Sequence, residues 1–272
     1  MSLCSSQTRQ FADEILAAYD GRRQIGPLTG LEPTFSAEDA QKVSHEITRR
    51  RTARGETVIG RKIGFTNRTI WDEYGVYSPI WGPVYDKTYT AVTGPAEAPL
   101  SRLVEPRIEP EIVFGFKAGV TSDMDERAIL GAIGWVAHGF EIVQSLYPGW
   151  RFQAADCIAA FGLHGALYCG PQLPVGGDPE PWLDALTGFS ITLSKDGVVA
   201  DRGVAANVLG GPLSAIRHLA GVLAEDAQAM PIGAGEIITT GTVTRALPVA
   251  PGELWTTVVE GLAVQPMSLR FV

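Results

Sequence analysis

The chain has 272 residues, 45% of them hydrophobic and 19% charged, and a formal net charge of −8. This is ordinary globular composition for one large domain or two small ones, long enough to bury a core without disulfide staples. The negative balance argues against nucleic acid or an anionic membrane as partner, yet a local cation would still let one pocket take a small anionic substrate. The three cysteines, Cys4, Cys157 and Cys169, form no CxxC pair, so neither a disulfide framework nor a zinc knuckle is indicated. A reducing cytoplasm is the expected setting. Met1-Ser2-Leu3 is set aside from the fold reading, and no signal peptide is recognised. No apolar run reaches the roughly 18 residues that a bilayer span needs.

Residues 5–20 read as an amphipathic helix, with Phe11, Ile15 and Tyr19 recurring at four-residue spacing. A Gly- and Pro-rich loop follows. Ser36-Ala37-Glu38-Asp39 is an N-terminal capping signature for a second helix through Ala40, Val43 and Ile47. That helix ends in Arg49-Arg50-Arg51, read as a solvated end that complements the helix dipole, with Gly55 as its stop. Residues 57–66 read as a strand carrying Lys62 inside an apolar stretch. Lysine is rarely buried unless paired, so Lys62 either faces water or meets a negative partner. Residues 71–86 read as a loop, in which Trp81 and Tyr85 form an apolar lid or simply pack.

Residues 103–116 organise the rest. A strand beginning near Ile108 puts Glu109 and Glu111 on one face and Ile108 and Ile112 on the other. Two carboxylates on one face repel unless something positive lies between them. Alone, the pair is better read as a solvated acidic face on an edge strand. Glu141 changes this, because it is a third acid inside an apolar, strand-like run, where an acid is uncommon unless paired or ligating. Oxygen ligands of this kind suit a hard divalent cation such as Mg²⁺. Residues 122–132 read as a short helix and 133–143 as a strand. On that strand His138 and Glu141 face opposite ways, so His138 is read as a hydrogen-bonded structural histidine. Residues 189–199 form a hairpin around Asp196-Gly197. Gly211-Pro212 opens a helix with Leu213, Ile216, Leu219 and Leu223 on one face, and the tail alternates strands with Gly and Pro turns.

These residues carry a resemblance along nearly the whole chain. The Glu109–Glu111 strand and the later Glu141-Ile142-Val143 resemble the Glu-x-Glu and Glu-Ile-Val strands of the 2-keto-4-pentenoate hydratase and 4-oxalocrotonate decarboxylase family, in the fumarylacetoacetase-like superfamily. Gly60-Arg61-Lys62-Ile63-Gly64-Phe65-Thr66 matches the family's Gly-x-Lys-Ile-Gly-x-Thr, and the 240–253 tail matches its Ser-Gly-Thr ending with Thr240 in the serine position. Two stretches depart from it. Pro79-Ile80-Trp81-Gly82 lacks the family's Asp, and in 150–164 Ala160-Phe161 replaces its Asp-Asn while Leu163-His164 replaces its serines.

The resemblance implies an α+β fold, a mixed β-roll over 57–272 with a small helical N-terminal lobe over 1–56. It implies Mg²⁺ or Mn²⁺ on Glu109, Glu111 and Glu141, Lys62 facing a metal-bound 2-oxo acid, and the Gly241-Thr242 turn, with Thr240, meeting the substrate carboxylate. His164 is a new titratable group near neutrality. It is either an acid–base or substrate-orienting residue or a satisfied core histidine. The implied reaction is hydration of a 2-hydroxy-2,4-dienoate in aromatic catabolism. A 4-oxalocrotonate-type decarboxylation ranks second and C–C hydrolysis third. A non-catalytic partner subunit is the reading of another class. A homo-oligomer is implied, or a hetero-complex with a related decarboxylase or hydratase.

Overall fold

The computed structural model describes residues 3–68, 71–74 and 76–272, so Met1 and Ser2 of the opening tripeptide lie outside the described residues. The chain opens with three helices, α1 (Ser5–Gly21), α2 (Leu28–Leu31) and α3 (Ala37–Ala53). Ser36 caps α3 as its sequence foretells, accepting the Asp39 N–H at 3.2 Å. Phe11 and Ile15 of α1, and Val43 and Ile47 of α3, are buried in a core completed by Leu146, Tyr147 and residues 155–163. Asp156, fully buried, ties the two halves of this core together by accepting the Thr29 N–H at 3.0 Å and the Thr29 hydroxyl at 2.7 Å.

The strand-rich part follows: β1 (Val58–Gly64), α4 (Trp71–Tyr74), β2 (Ile80–Tyr85), β3 (Tyr89–Ala91), β4 (Ala96–Ala98), β5 (Arg107–Phe116), α5 (Glu126–Ala132) and β6 (Ile133–Val143). Next come α6 (Ala154–Ala159), β7 (His164–Cys169), β8 (Leu173–Pro174), α7 (Pro179–Gly188), β9 (Ser190–Lys195), β10 (Val198–Val204) and α8 (Pro212–Glu225). β11 (Ile237–Thr242), β12 (Leu247–Pro248), β13 (Leu254–Glu260) and β14 (Ser268–Phe271) close the chain. The larger sheet runs β2-β1-β11-β5-β6-β7-β3, with β12 on β5 and β8 on β6, and the smaller runs β10-β9-β13-β14-β4. Side chains such as Ile108, Phe140, Ile142, Leu193 and Trp255 fill the space between the two sheets. The apolar stripe of α8 (Leu213, Ile216, Leu219, Leu223) packs with α5 and α7 into another core. No described helix is long and apolar enough to cross a membrane.

Four sequence expectations need correction. The stretch read as a loop over 71–86 contains the short helix α4 and the fully buried strand β2, with Gly75 outside the described residues. Pro83 would break a central strand, but β2 is the terminal strand of its sheet, where a missing N–H costs no ladder bond. Trp81 and Tyr85 are therefore core residues rather than a lid. The third correction concerns Arg51, which is not solvated. It is 1% exposed, donates to both carboxylate oxygens of Glu56, and stacks 3.7 Å from the Tyr85 ring centroid. The 122–132 helix is shorter than read, because Asp125 caps it and it starts at Glu126.

Candidate metal centre

Five adjacent strands of the larger sheet, β1, β11, β5, β6 and β7, each bring a polar group to one place. On β5 the side chains of Arg107, Glu109 and Glu111 share a face by the two-residue period of a strand. The β5–β6 register sets Glu109 directly opposite Glu141 and gives Glu111 the side-chain-free Gly139 as its partner. One carboxylate oxygen from each of Glu109, Glu111 and Glu141 can lie within 4.8 Å of the others. From β1, the Lys62 ammonium comes 3.3 Å from Glu141 Oε2 and donates to Gly162 O at 3.0 Å. From β7, His164 Nδ1 lies 2.7 Å from Glu141 Oε1.

Backbone geometry on β11 completes the arrangement. The β11–β5 register shifts between Thr239 and Thr242, and within that irregularity Gly241 turns to φ +91°. A Cβ there would lie 2.1 Å from Thr66 Oγ1, so only glycine fits. The turn aims the Gly241 N–H at Glu111 Oε2, 2.8 Å away. Glu111 and Glu141 are both fully buried, and each thus has one oxygen anchored by a donor. Of their other oxygens, Glu111 Oε1 receives no hydrogen bond and Glu141 Oε2 meets only the Lys62 ammonium, 3.3 Å away and outside hydrogen-bond alignment. Buried acceptors left over in this way cost free energy unless a cation takes them. The donor set is all oxygen and carries three carboxylates, so it fits Mg²⁺ or Mn²⁺ and can hold such an ion. A doubly charged ion together with the Lys62 ammonium would balance the three negative charges.

The electrostatics agree with this reading. Burial pushes Glu109 up to about 7, with Lys62 opposing and Glu141 adding to the rise. Burial and the neighbouring Glu141 and Glu109 charges hold Glu111 well above the usual carboxylate range. Burial also works against Glu141, but Lys62 and the hydrogen bond from His164 outweigh it and bring this carboxyl below its ordinary value. Burial disfavours the Lys62 ammonium, while Glu141, Glu109 and Glu111 more than compensate and raise its pKa. Lys62 is accordingly a charged donor, ion-paired with Glu141, and not a lysine left neutral by desolvation.

A cavity of about 440 Å³ opens onto this cluster. Lys62, Glu109, Gly241 and Thr242 reach its wall, and Ile80, Val143, Trp150, Phe152, Leu163 and Leu247 make much of the rest apolar. Two expected site residues stand behind the wall. Thr240 is fully buried and its hydroxyl donates to Ile112 O at 3.0 Å, so it supports the β11–β5 joint instead of facing the cavity. His164 is fully buried with both ring nitrogens engaged, by Glu141 Oε1 and, at 2.8 Å, by Thr88 Oγ1; it does not line the cavity. His138 bridges Glu111 O and Thr257 Oγ1, each at 2.9 Å, as a structural histidine. Sequence reasoning passed over Thr88, the Gly162 carbonyl and Arg107. Arg107 could have been found, since it shares the two-residue period with Glu109. The other two give no signal in the chain.

The curled mixed sheet is a fumarylacetoacetase-like fold, and its buried acidic cage is a candidate divalent-metal centre. No family model matches the chain. It is 32% identical to 2-hydroxyhexa-2,4-dienoate hydratase of Comamonas testosteroni over 246 residues, 90% of each chain. It is 33% identical to 4-oxalocrotonate decarboxylase of Pseudomonas sp. (strain CF600) over 272 residues, 100% of this chain and 99% of that one. Among solved structures, 4-oxalocrotonate decarboxylase of Pseudomonas putida, complexed with magnesium and adipate, superposes with a TM-score of 0.91 at 30% identity, covering 100% of this chain and 99% of the other. The chain therefore belongs to the family of 2-keto-4-pentenoate hydratases and 4-oxalocrotonate decarboxylases.

Proposed function

We propose that the protein is a divalent-cation-dependent hydro-lyase of aromatic catabolism that hydrates a 2-hydroxy-2,4-dienoate to a 4-hydroxy-2-oxo acid. The observation that carries this reading is the all-oxygen cage of Glu109, Glu111 and Glu141, with Lys62 beside it at the wall of a cavity. A cation bound there would polarise the 2-oxo acid group of a chelating substrate. In the reaction the 2-hydroxyl gives up its proton and C5 gains one; water then adds its hydroxyl to C4 and its remaining proton to C3. Lys62 stays charged, steadies the substrate carboxylate and the oxygen on C2, and offsets negative charge as it develops there. Gly241 fixes Glu111 through its N–H, and Thr242 stands at the wall, its hydroxyl turning from a long 3.4 Å contact with Pro110 O to the substrate carboxylate when one is bound. The apolar wall shields the diene from bulk water.

The test is incubation with 2-hydroxypenta-2,4-dienoate and Mg²⁺, following loss of diene absorbance. Turnover that chelator abolishes supports hydration. No turnover, with CO₂ release from 4-oxalocrotonate, would reverse the ranking. Arg107 is the observation that favours this second reading. It lines the cavity, lies 4.1 Å from the Trp150 ring centroid and makes no ion pair within 4 Å among the described residues, its charge reaching Glu109 from farther off. A substrate with a second carboxylate would find a guanidinium there, and a proton would take the place of the departing CO₂. The three cysteines are unpaired, which supports a cytoplasmic setting. A homo-oligomer, alone or with a related decarboxylase or hydratase, is the assembly we propose.

A further inference from the structure

Among the described residues, Lys62, Arg107 and Arg245 bring positive charge to the wall of the cavity. Two of them are already engaged. Lys62 lies 3.3 Å from Glu141, and Arg245, largely exposed, pairs with Asp201 at 2.9 Å. Arg107 makes no such ion pair, yet it is held in place, with its guanidinium 4.1 Å from the Trp150 ring centroid. The indole is fixed in turn by Glu105. Trp150 Nε1 donates to Glu105 O at 3.1 Å, and the neighbouring Gly149 N–H donates to both carboxylate oxygens of Glu105, each at 3.1 Å. Glu105 (φ 44°) and Trp150 (φ 60°) both occupy the left-handed region, a cost for non-glycine residues that their surroundings must offset. A solvated rim arginine needs no such support. A guanidinium seated over a ring keeps its N–H edge free, and that edge matches a carboxylate bidentately.

The spacing indicates which carboxylate. Arg107 stands one two-residue step from Glu109 on the same face of β5, roughly 6.6–6.8 Å along the strand. Three bonds of an extended chain span about 3.8 Å. The five or six bonds between the two carboxyl carbons of a six- or seven-carbon diacid therefore span roughly 6–8 Å. With one end chelated at the cage, the other end reaches the guanidinium. We propose that Arg107 reads a second carboxylate at the far end of the substrate, with Trp150 and Glu105 as positioning residues, so that the protein takes a dienoic diacid of six or seven carbons in preference to a monoacid of the same length. The inference rests on the reading of the cavity as a site for metal-chelated 2-oxo acids, and it holds for whichever reaction follows.

The test is calorimetry with two 2-oxo acids in saturating Mg²⁺. 2-Oxohexanoate and 2-oxohexanedioate differ only at C6, a methyl group in one and a carboxylate in the other. The diacid should bind the wild type roughly 10–100-fold tighter, as a hydrogen-bonded charge pair contributes. Arg107→Met should bring that ratio close to one, and Arg107→Lys should keep part of it. Trp150→Leu should narrow it by about threefold or more. The ratio is the readout because damage to the fold lowers both affinities together, and circular dichroism checks each variant. Equal affinities in the wild type, or an undiminished ratio in Arg107→Met, overturn the inference and leave the 2-oxo acid reading intact. An undiminished ratio in Trp150→Leu overturns the positioning role of Trp150 and Glu105. If neither acid binds, the 2-oxo acid reading fails and the inference falls with it.

Discussion

At the scale of single residues, Lys62 and Glu109 give separable predictions. Lys62→Met should lower kcat/KM by roughly 10²–10³-fold while tightening Mg²⁺ binding, because a charge-stabilising donor is lost and the ammonium 3.3 Å from Glu141 no longer competes with a cation for the same oxygen. Calorimetry and steady-state kinetics on one preparation check both halves, and loss of metal binding together with activity would contradict the assignment. Glu109 is held up to about 7, so below that pH it is protonated and must release its proton before it can ligate. Mg²⁺ affinity should therefore fall as pH drops from 8 to 6, by up to about tenfold per pH unit for each proton displaced. Calorimetry in two buffers of different ionisation enthalpy should show protons released. The acids and Lys62 were legible in the sequence because a charged side chain inside an apolar strand pattern is conspicuous. Thr88 was not: a threonine closing a 3₁₀ turn looks like any surface residue, and only the pairing of β3 with β7 sets its hydroxyl against His164.

At the scale of elements, the irregularity in β11 and the turn before β7 do what regular strands cannot. Gly241→Ala would force a side chain into a left-handed backbone and against Thr66, and should cost about 1–3 kcal/mol, read as a lowered thermal midpoint. Weaker Mg²⁺ binding should accompany it, since the N–H that anchors Glu111 moves. The turn before β7 places Phe161 (φ 47°) and Leu163 (φ 61°), both non-glycine, in the left-handed region on either side of Gly162. Such strain persists only where surroundings impose it. Here it turns the Gly162 carbonyl toward Lys62 while His164 enters β7 beside Glu141. The sequence located this segment as the departure from the family pattern but could not give its conformation, because neither Phe161 nor Leu163 favours a positive φ. Hydrophobic periodicity did predict α1, α3, α8, β6 and the β9–β10 hairpin. It failed at β2, where proline outweighed an edge position that only the assembled sheet reveals.

For the molecule as a whole, His138 ties the two sheets together, reaching from β6 to Glu111 O on β5 and to Thr257 on β13. Burial lowers its pKa to about 4 from an unfolded value near 6.5, so the folded protein keeps the ring neutral. Its contribution is full above pH 6.5 and is lost as the pH falls toward 4, a loss of about 3 kcal/mol. The thermal midpoint should drop less between pH 7.5 and 5 in His138→Gln than in the wild type, the carboxylates being common to both.

The shared core of α1–α3 with residues 146–163 has a consequence for exchange between relatives. A chimera that swaps only the first 56 residues would mate a foreign helical surface with a resident Phe161 and Asp156, and through Phe161 would disturb the carbonyl that steadies Lys62. The heritable unit is discontinuous: two separated stretches of gene must travel together for the lysine to arrive at its post.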